Sequence, residues 1–261
     1  MDRRAYWKRE LRGALDEDRL VLYAQDMISL TTSGAKCKEL LARIVRRSGE
    51  VIEPRQFISA ADSVGLAQEI DLRVVEKVIA YLDREGGTSN NVSYFTNLSR
   101  SSVMDPFWHP RLHAALSSVS FDPSRLVFEV SETTAMSNVV MAKKITAFLK
   151  DAGRRCTLDN LGVGFSSMYY LKQFDVDYLK VDGSLVRDLP NDNASRLYMR
   201  ALCDVTRGLN KEVIAEKVES PNVLSELRAL GIEYAQGHYI ARPGPLITLQ
   251  GATMIVKESM A

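Results

Sequence analysis

The sequence predicts an α/β protein folded as a single (β/α) barrel. Three observations carry that reading. Short β-type runs alternate with longer helical patterns from one end of the chain to the other. The length, 261 residues, is that of one such barrel. No low-complexity linker divides the chain. A doubly wound open sheet is the alternative. Its dinucleotide-binding version is weakened because no Gly-x-Gly-x-x-Gly follows the first strand.

The elements follow in order. Met1–Lys8 is too polar for a secretory leader. Leu20–Tyr23 reads as the first strand and Lys36–Arg43 as the second. Val74–Leu82 has apolar residues at three- and four-residue spacing, hence a helix. Val92–Asn97 and Leu126–Val130 are strands. Val139–Ala152 is a helix that stops at Gly153. Arg155–Asp159 and Tyr178–Asp182 are strands. Ala194–Gly208 is a helix that starts at Asn191 or Asn193 and stops at Gly208. Glu212–Glu216 is a strand. Asn222–Leu230 is a helix opened by Ser220 before Pro221 and closed by Gly231. Ile232–Gln236 is the last strand.

Composition narrows the function. The chain is 46% hydrophobic and 26% charged, enough for a real core. Its formal net charge of +1 provides no general field for nucleic acid or for an acidic membrane surface. The apolar runs are strand-sized, too short to span a bilayer. Cys37, Cys156 and Cys203 lack metal-ligand spacing, and a reducing cytoplasm suits them.

The chemistry gathers at strand ends. Glu39, Asn97, Glu129, Asp159, Lys180 with Asp182, Glu216 and Gln236 each close or follow a predicted strand. In a parallel barrel those ends converge on one face. Carboxylates in one pocket repel unless a cation neutralises them. All-oxygen donors select a hard ion, Mg²⁺, Mn²⁺ or Ca²⁺. Such a site suits phosphoryl chemistry, with Lys180 offsetting charge on phosphorus oxygens. Any one of these acids alone reads more often as a helix cap or a loop ion pair. Their coincidence at equivalent places in successive units favours the shared site. His109 and His113 flank Pro110 and have no third ligand, so they read as surface residues. His238 lies beside the expected pocket. Arg43–Arg47 reads as a solvated face, with Arg43 the exception because it lies near a strand end.

The ordered motifs carry a resemblance. They are Leu22-Tyr23-Ala24-Gln25, Glu39-Leu40-Leu41-Ala42-Arg43, Pro54-Arg55-Gln56-Phe57-Ile58, Asn97-Leu98-Ser99 and Phe128-Glu129-Val130-Ser131-Glu132-Thr133. Then come Leu158–Ser167, Asp177-Tyr178-Leu179-Lys180-Val181-Asp182-Gly183, Ile214-Ala215-Glu216-Lys217-Val218-Glu219 and Ala235-Gln236-Gly237. Over residues 6–246 the chain resembles the EAL domain family, the bacterial cyclic di-GMP phosphodiesterases, of the type found downstream of GGDEF domains. The resemblance implies a TIM-like (β/α)8 barrel with its first strand antiparallel. It treats residues 1–261 as one domain, with 1–18 a linker helix from an upstream GGDEF or sensory domain. It implies a homodimer, cytoplasmic or the cytoplasmic part of a membrane-tethered protein, acting on cyclic di-GMP to give linear pGpG.

The resemblance also assigns roles. Glu39, Asn97, Glu129, Asp159 and Asn160 match metal ligands for Mg²⁺ or Mn²⁺. Lys180, Asp182 and Glu216 match catalytic positions, and Gln25, Arg43 and Gln236 match substrate contacts. Glu132 and Glu219 match acids that hold the Asp159–Phe165 loop in shape. Departures accompany the match. Glu39-Leu40-Leu41 stands for Glu-Ala-Leu, with Leu40 in place of Ala, Asp26 replaces Pro, and Ile44 replaces an aromatic residue or Met. Leu161 and Val163 alter the loop after Asp159, and Lys217 replaces Gly or Phe. Asn160 replaces a second Asp, which removes a formal charge and weakens Mg²⁺ binding. Two readings follow: a slow phosphodiesterase that prefers Mn²⁺, or a receptor that binds cyclic di-GMP without cutting it.

Overall fold

The computed structural model describes residues 2–31, 36–84, 92–162 and 171–246. Its strands are β1 (Leu20–Ser29), β2 (Lys36–Val45), β3 (Val51–Ile52), β4 (Val92–Asn97) and β5 (Leu126–Ser131), then β6 (Arg155–Leu161), β7 (Tyr178–Val181), β8 (Glu212–Ala215), β9 (Tyr234–Gln236) and β10 (Gly244–Pro245). β1 bonds to both β2 and β9, which closes β1, β2 and β4 to β9 into an eight-stranded barrel. β3 and β10 extend its margin. β1 is antiparallel to both neighbours, while β2 and β4 to β9 run parallel to one another. The barrel and its reversed first strand are as expected, and the open sheet is excluded.

The parallel strands are covered on both faces, so they read as apolar runs. Leu126, Val127, Phe128 and Val130 of β5 are all buried. The helices outside bury one stripe each. In helix Ala67–Arg84 that stripe includes Ile70, Val74, Val78 and Leu82. Helix Pro221–Leu230 begins where predicted, with the Ser220 hydroxyl accepting the Val223 N–H, and ends at Gly231 with φ +74°. Helix Asn193–Gly208 differs. Its cap is Asp192, whose carboxylate accepts the N–H groups of Ala194 and Ser195. A full negative charge suits a helix N-terminus better than the amide of Asn191 or Asn193.

Two other differences affect the site. β1 runs six residues past the predicted Tyr23, because Gln25 and Asp26 interrupt the apolar pattern while the strand continues to pair with β2 as far as Met27↔Cys37. Helix Arg3–Asp16 is part of the barrel's shell, since Trp7, Leu11, Ala14 and Leu15 join the main core between strands and helices. A second, smaller core fills the barrel interior: Met27, Cys37, Phe95, Val127, Tyr178, Ile214 and Tyr234. The three cysteines are buried and free. Among the described residues no helix is long and apolar enough to cross a membrane.

Candidate functional site

The inner core is the floor of the site. Side chains alternate along a strand, so the residue two positions on shares the same face one layer up. Glu39 stands over Cys37, Asn97 over Phe95, Glu129 over Val127, Lys180 over Tyr178, Glu216 over Ile214 and Gln236 over Tyr234. On reversed β1 the step runs backwards, from Met27 to Gln25, and Gln25 pairs with Glu39 across the strands. Seven strands therefore each raise one polar group into the same layer, and the eighth, β6, adds Asp159 two residues past Thr157.

Lys180 is the hub of that layer. Its side chain is fully buried, and its ammonium lies 2.9 Å from Glu216, 3.1 Å from Glu129, 3.2 Å from Glu39 and 3.8 Å from Asp159. Burial opposes its charge, but the carboxylates around it hold its pKa well above the ordinary lysine value. The acids divide. Burial, answered only in part by Lys180, pushes Glu129 and Asp159 up, and carries Glu216 to about 7. Glu39 is also buried, but Lys180, Gln236 and Asn97 hold it below the usual carboxylate value. Gln236 donates to Glu39 at 2.6 Å and to the Gln25 carbonyl oxygen at 2.9 Å, and Asn97 donates to Glu39 at 3.1 Å.

The segment after Asp159 leaves the strand sharply. Asn160 has φ +59°, a conformation that Asn tolerates better than most residues, at the register shift between β6 and β7. Its side-chain amide donates to Asp159 Oδ2 at 2.7 Å. Gly162, at φ +100°, holds a conformation that favours glycine, and a Cβ there would displace the Leu185 Cδ1 methyl, 2.3 Å away. Its N–H donates to buried Glu132 at 3.3 Å. Val163–Ser167 lie outside the described residues, so the rest of the predicted loop does too.

Asp182 serves two partners. One oxygen accepts the Ser184 N–H, capping helix Gly183–Arg187. The other accepts from the Lys217 ammonium at 2.5 Å. Burial is outweighed by these bonds, and the Asp182 carboxyl falls to about 2. Arg43 lies over the Tyr23 ring at 5.3 Å, near the rim. Glu219 and His238 line a cleft of about 180 Å³ with Gln25, Glu39, Glu216, Lys217, Gln236 and Gly237. Gly237 fits because its neighbour is backbone: a Cβ there would lie 2.1 Å from the Val218 carbonyl oxygen.

The donor chemistry fits a hard divalent ion. Glu129 Oε1, Asp159 Oδ1 and Gln236 Oε1 are buried without a hydrogen-bond partner. Spare carboxylate and amide oxygens in one layer are what Mg²⁺ or Mn²⁺ takes. Among the described residues no three acids already hold the spacing of a metal centre. They turn to Lys180 instead.

The sequence reading thus gathers Gln25, Glu39, Asn97, Glu129, Asp159, Lys180, Glu216 and Gln236 into one layer, with Asp182 and Asn160 beside it. It leaves Arg43 and Glu219 at the rim and Glu132 behind the Asp159 segment. His109 and His113 pack on Phe148, away from this layer. Two supporting residues were missed. Tyr23 beneath Arg43 was readable from its two-residue offset from Gln25. Asp71 accepts the Ser99 N–H at 2.7 Å and the Ser102 hydroxyl at 2.6 Å just after Asn97. The Ser99-x-x-Ser102 spacing pointed to a cap there, but nothing in the sequence pointed to a distant acid.

The sequence profile of the EAL domain family matches residues 8–243. The chain belongs to the EAL domain family. It is 34% identical over 243 residues, 92% of its length, to the cyclic di-GMP phosphodiesterase PdeB of Shewanella oneidensis, and covers 28% of that protein. The chain spans 28% to 33% of the length of the first curated relatives it matches. Among solved EAL structures, the FimX EAL domain of Pseudomonas aeruginosa bound to c-di-GMP aligns with a TM-score of 0.85 and 31% identity, over 91% of this chain and 96% of that one. The MucR phosphodiesterase from the same organism, also a c-di-GMP complex, aligns with a TM-score of 0.83 and 29% identity, over 92% and 98%.

Proposed function

We propose that this EAL domain binds cyclic di-GMP at the barrel mouth and hydrolyses one of its phosphodiester bonds, giving linear pGpG. The observation that carries the reading is the Lys180 hub: a fully buried ammonium within 3.8 Å of four carboxylates. A strongly perturbed buried charge facing several carboxylates in a cleft marks a functional site. The names of PdeB and MucR, and the ligand in the FimX and MucR structures, support the substrate.

Glu39, Asn97, Glu129, Asp159 and Asn160 would hold Mg²⁺ or Mn²⁺. When bound, the ion polarises a phosphate oxygen and acidifies water. Lys180 offsets negative charge as it builds on the phosphoryl oxygens. Glu216, carried to about 7, is placed to take and return a proton near neutral pH. Arg43 on Tyr23, with Gln25 and Gln236 inside the rim, provides the polar contacts that orient the nucleotide. In the same reading the working unit is a homodimer, and helix Arg3–Asp16 joins the barrel to a GGDEF or sensory domain.

A receptor reading rests on two other observations. Asn160 donates to Asp159 where an aspartate would add charge, and Lys217 is bonded to Asp182. One experiment separates the readings. Wild type and Asn160→Asp are compared for pGpG formation by chromatography with Mg²⁺ and with Mn²⁺, and for cyclic di-GMP binding by calorimetry. The expected result is slow wild-type hydrolysis, faster in Mn²⁺, and a rise of about tenfold or more in Mg²⁺ for Asn160→Asp. Binding without product in either metal establishes the receptor. No binding at micromolar ligand removes both readings.

A further inference from the structure

Cation supply at the mouth is uneven, and one cation comes from an unusual place. Lys217 sits just past β8 at φ +54°, a conformation that favours glycine. Its side chain lies flat on Gly183: a Cβ on that glycine would meet Lys217 Cβ at 2.5 Å and Cδ at 2.6 Å. The chain is thereby aimed at Asp182, and its ammonium reaches Oδ2. Asp182 Oδ1 is already engaged by the Ser184 N–H, so both oxygens have donors. The same holds for Asp159 Oδ2, which accepts from Asn160. Lys217 also reaches Asp159 electrostatically, opposing the burial that raises that acid.

What remains open in the layer is Glu129 Oε1, Asp159 Oδ1 and Gln236 Oε1. We propose that Lys217 supplies a tethered cation that closes the Asp182 carboxylate to a divalent ion, so that the mouth binds one divalent ion per chain. The inference rests on the functional reading above for the first ion. The side chain is 54% exposed, so the ammonium reaches its seat from the solvent side of the mouth.

The test counts ions. Mn²⁺ is titrated into the whole chain, with free Mn²⁺ read by electron paramagnetic resonance. The proteins are wild type, Asn160→Asp, and Asn160→Asp combined with Lys217→Gly or with Lys217→Asn. Gly and Asn both tolerate the positive φ, and a cooperative thermal melt verifies folding. Wild type and Asn160→Asp should bind one Mn²⁺. Each Lys217 variant should gain a second site at least about tenfold tighter than any further binding in wild type. Two ions in wild type, or no second ion in either Lys217 variant, overturns the proposal. Cyclic di-GMP calorimetry on the same samples keeps the questions apart. Loss of nucleotide binding defeats the functional reading and leaves the ion count standing.

Discussion

The barrel interior holds two layers one side-chain step apart, and they obey opposite rules. The lower, Met27, Cys37, Phe95, Val127, Tyr178, Ile214 and Tyr234, is apolar and held by packing, with Tyr178 against Phe95 and Tyr234. The upper is polar and held by charge around Lys180. Seven strands build both, and β6 adds Asp159 to the upper layer alone. One layer removes apolar surface from water, and the other keeps charges together that would otherwise disperse. The floor also makes the ceiling expensive: with water excluded from below, the acids must be satisfied by Lys180 or by an ion.

Lys180→Met should produce the largest effect. It leaves four acids without their common cation. Stability should fall by about 3–5 kcal/mol in urea denaturation, and pGpG formation by at least about a thousandfold. Intact stability would mean that the acids do not depend on the hub. Phe95→Ala should come next. It opens a cavity in the floor and costs about 3–5 kcal/mol in the same denaturation, while cyclic di-GMP affinity of the folded fraction stays within about threefold. A larger loss of affinity would show that the layers are coupled.

The smallest effect concerns pH in metal-free buffer. Glu129, Asp159 and Glu216 titrate higher folded than unfolded, so the folded state holds more protons. Their contribution to stability is fully present below the unfolded values, 4.5 for the glutamates and 3.8 for Asp159, and is lost as pH rises through the raised folded values, about 7 for Glu216. Each acid adds at most about 1.4 kcal/mol per pH unit. Glu39, held low, works the other way, and its contribution is lost as pH falls. Urea midpoints across this window should therefore drop with rising pH, and Mn²⁺ should flatten the slope. A rising midpoint would reverse the electrostatic account.

The upper layer was legible in sequence because its residues close or follow the predicted strands; the apolar floor beneath it was not picked out. Polar residues closing apolar runs marked the upper layer before any contact was known. What stayed hidden was direction. Nothing local told whether Lys217 would face the solvent or Asp182, because that depends on the bare surface of Gly183, thirty-four positions earlier. Asp71 was hidden likewise, since its partners Ser99 and Ser102 lie in another element. β1 was cut short because Gln25 and Asp26 look like a loop when the polar interior they face is not yet known. The cap at Asp192 was missed for a neighbouring amide.

The reversed direction of β1 has a mechanical consequence. In a barrel whose strands all run one way, the chain enters from the floor side. Here the register pairs Leu20 with Ile44, past Glu39, so the chain enters at the rim. Helix Arg3–Asp16 ends there, and the Arg19 guanidinium clamps the Val45 carbonyl on the neighbouring strand. Gln25 lies only five residues along, roughly 17 Å of extended strand. The paired β1–β2 hairpin thus joins the end of helix Arg3–Asp16 at the rim directly to the polar layer.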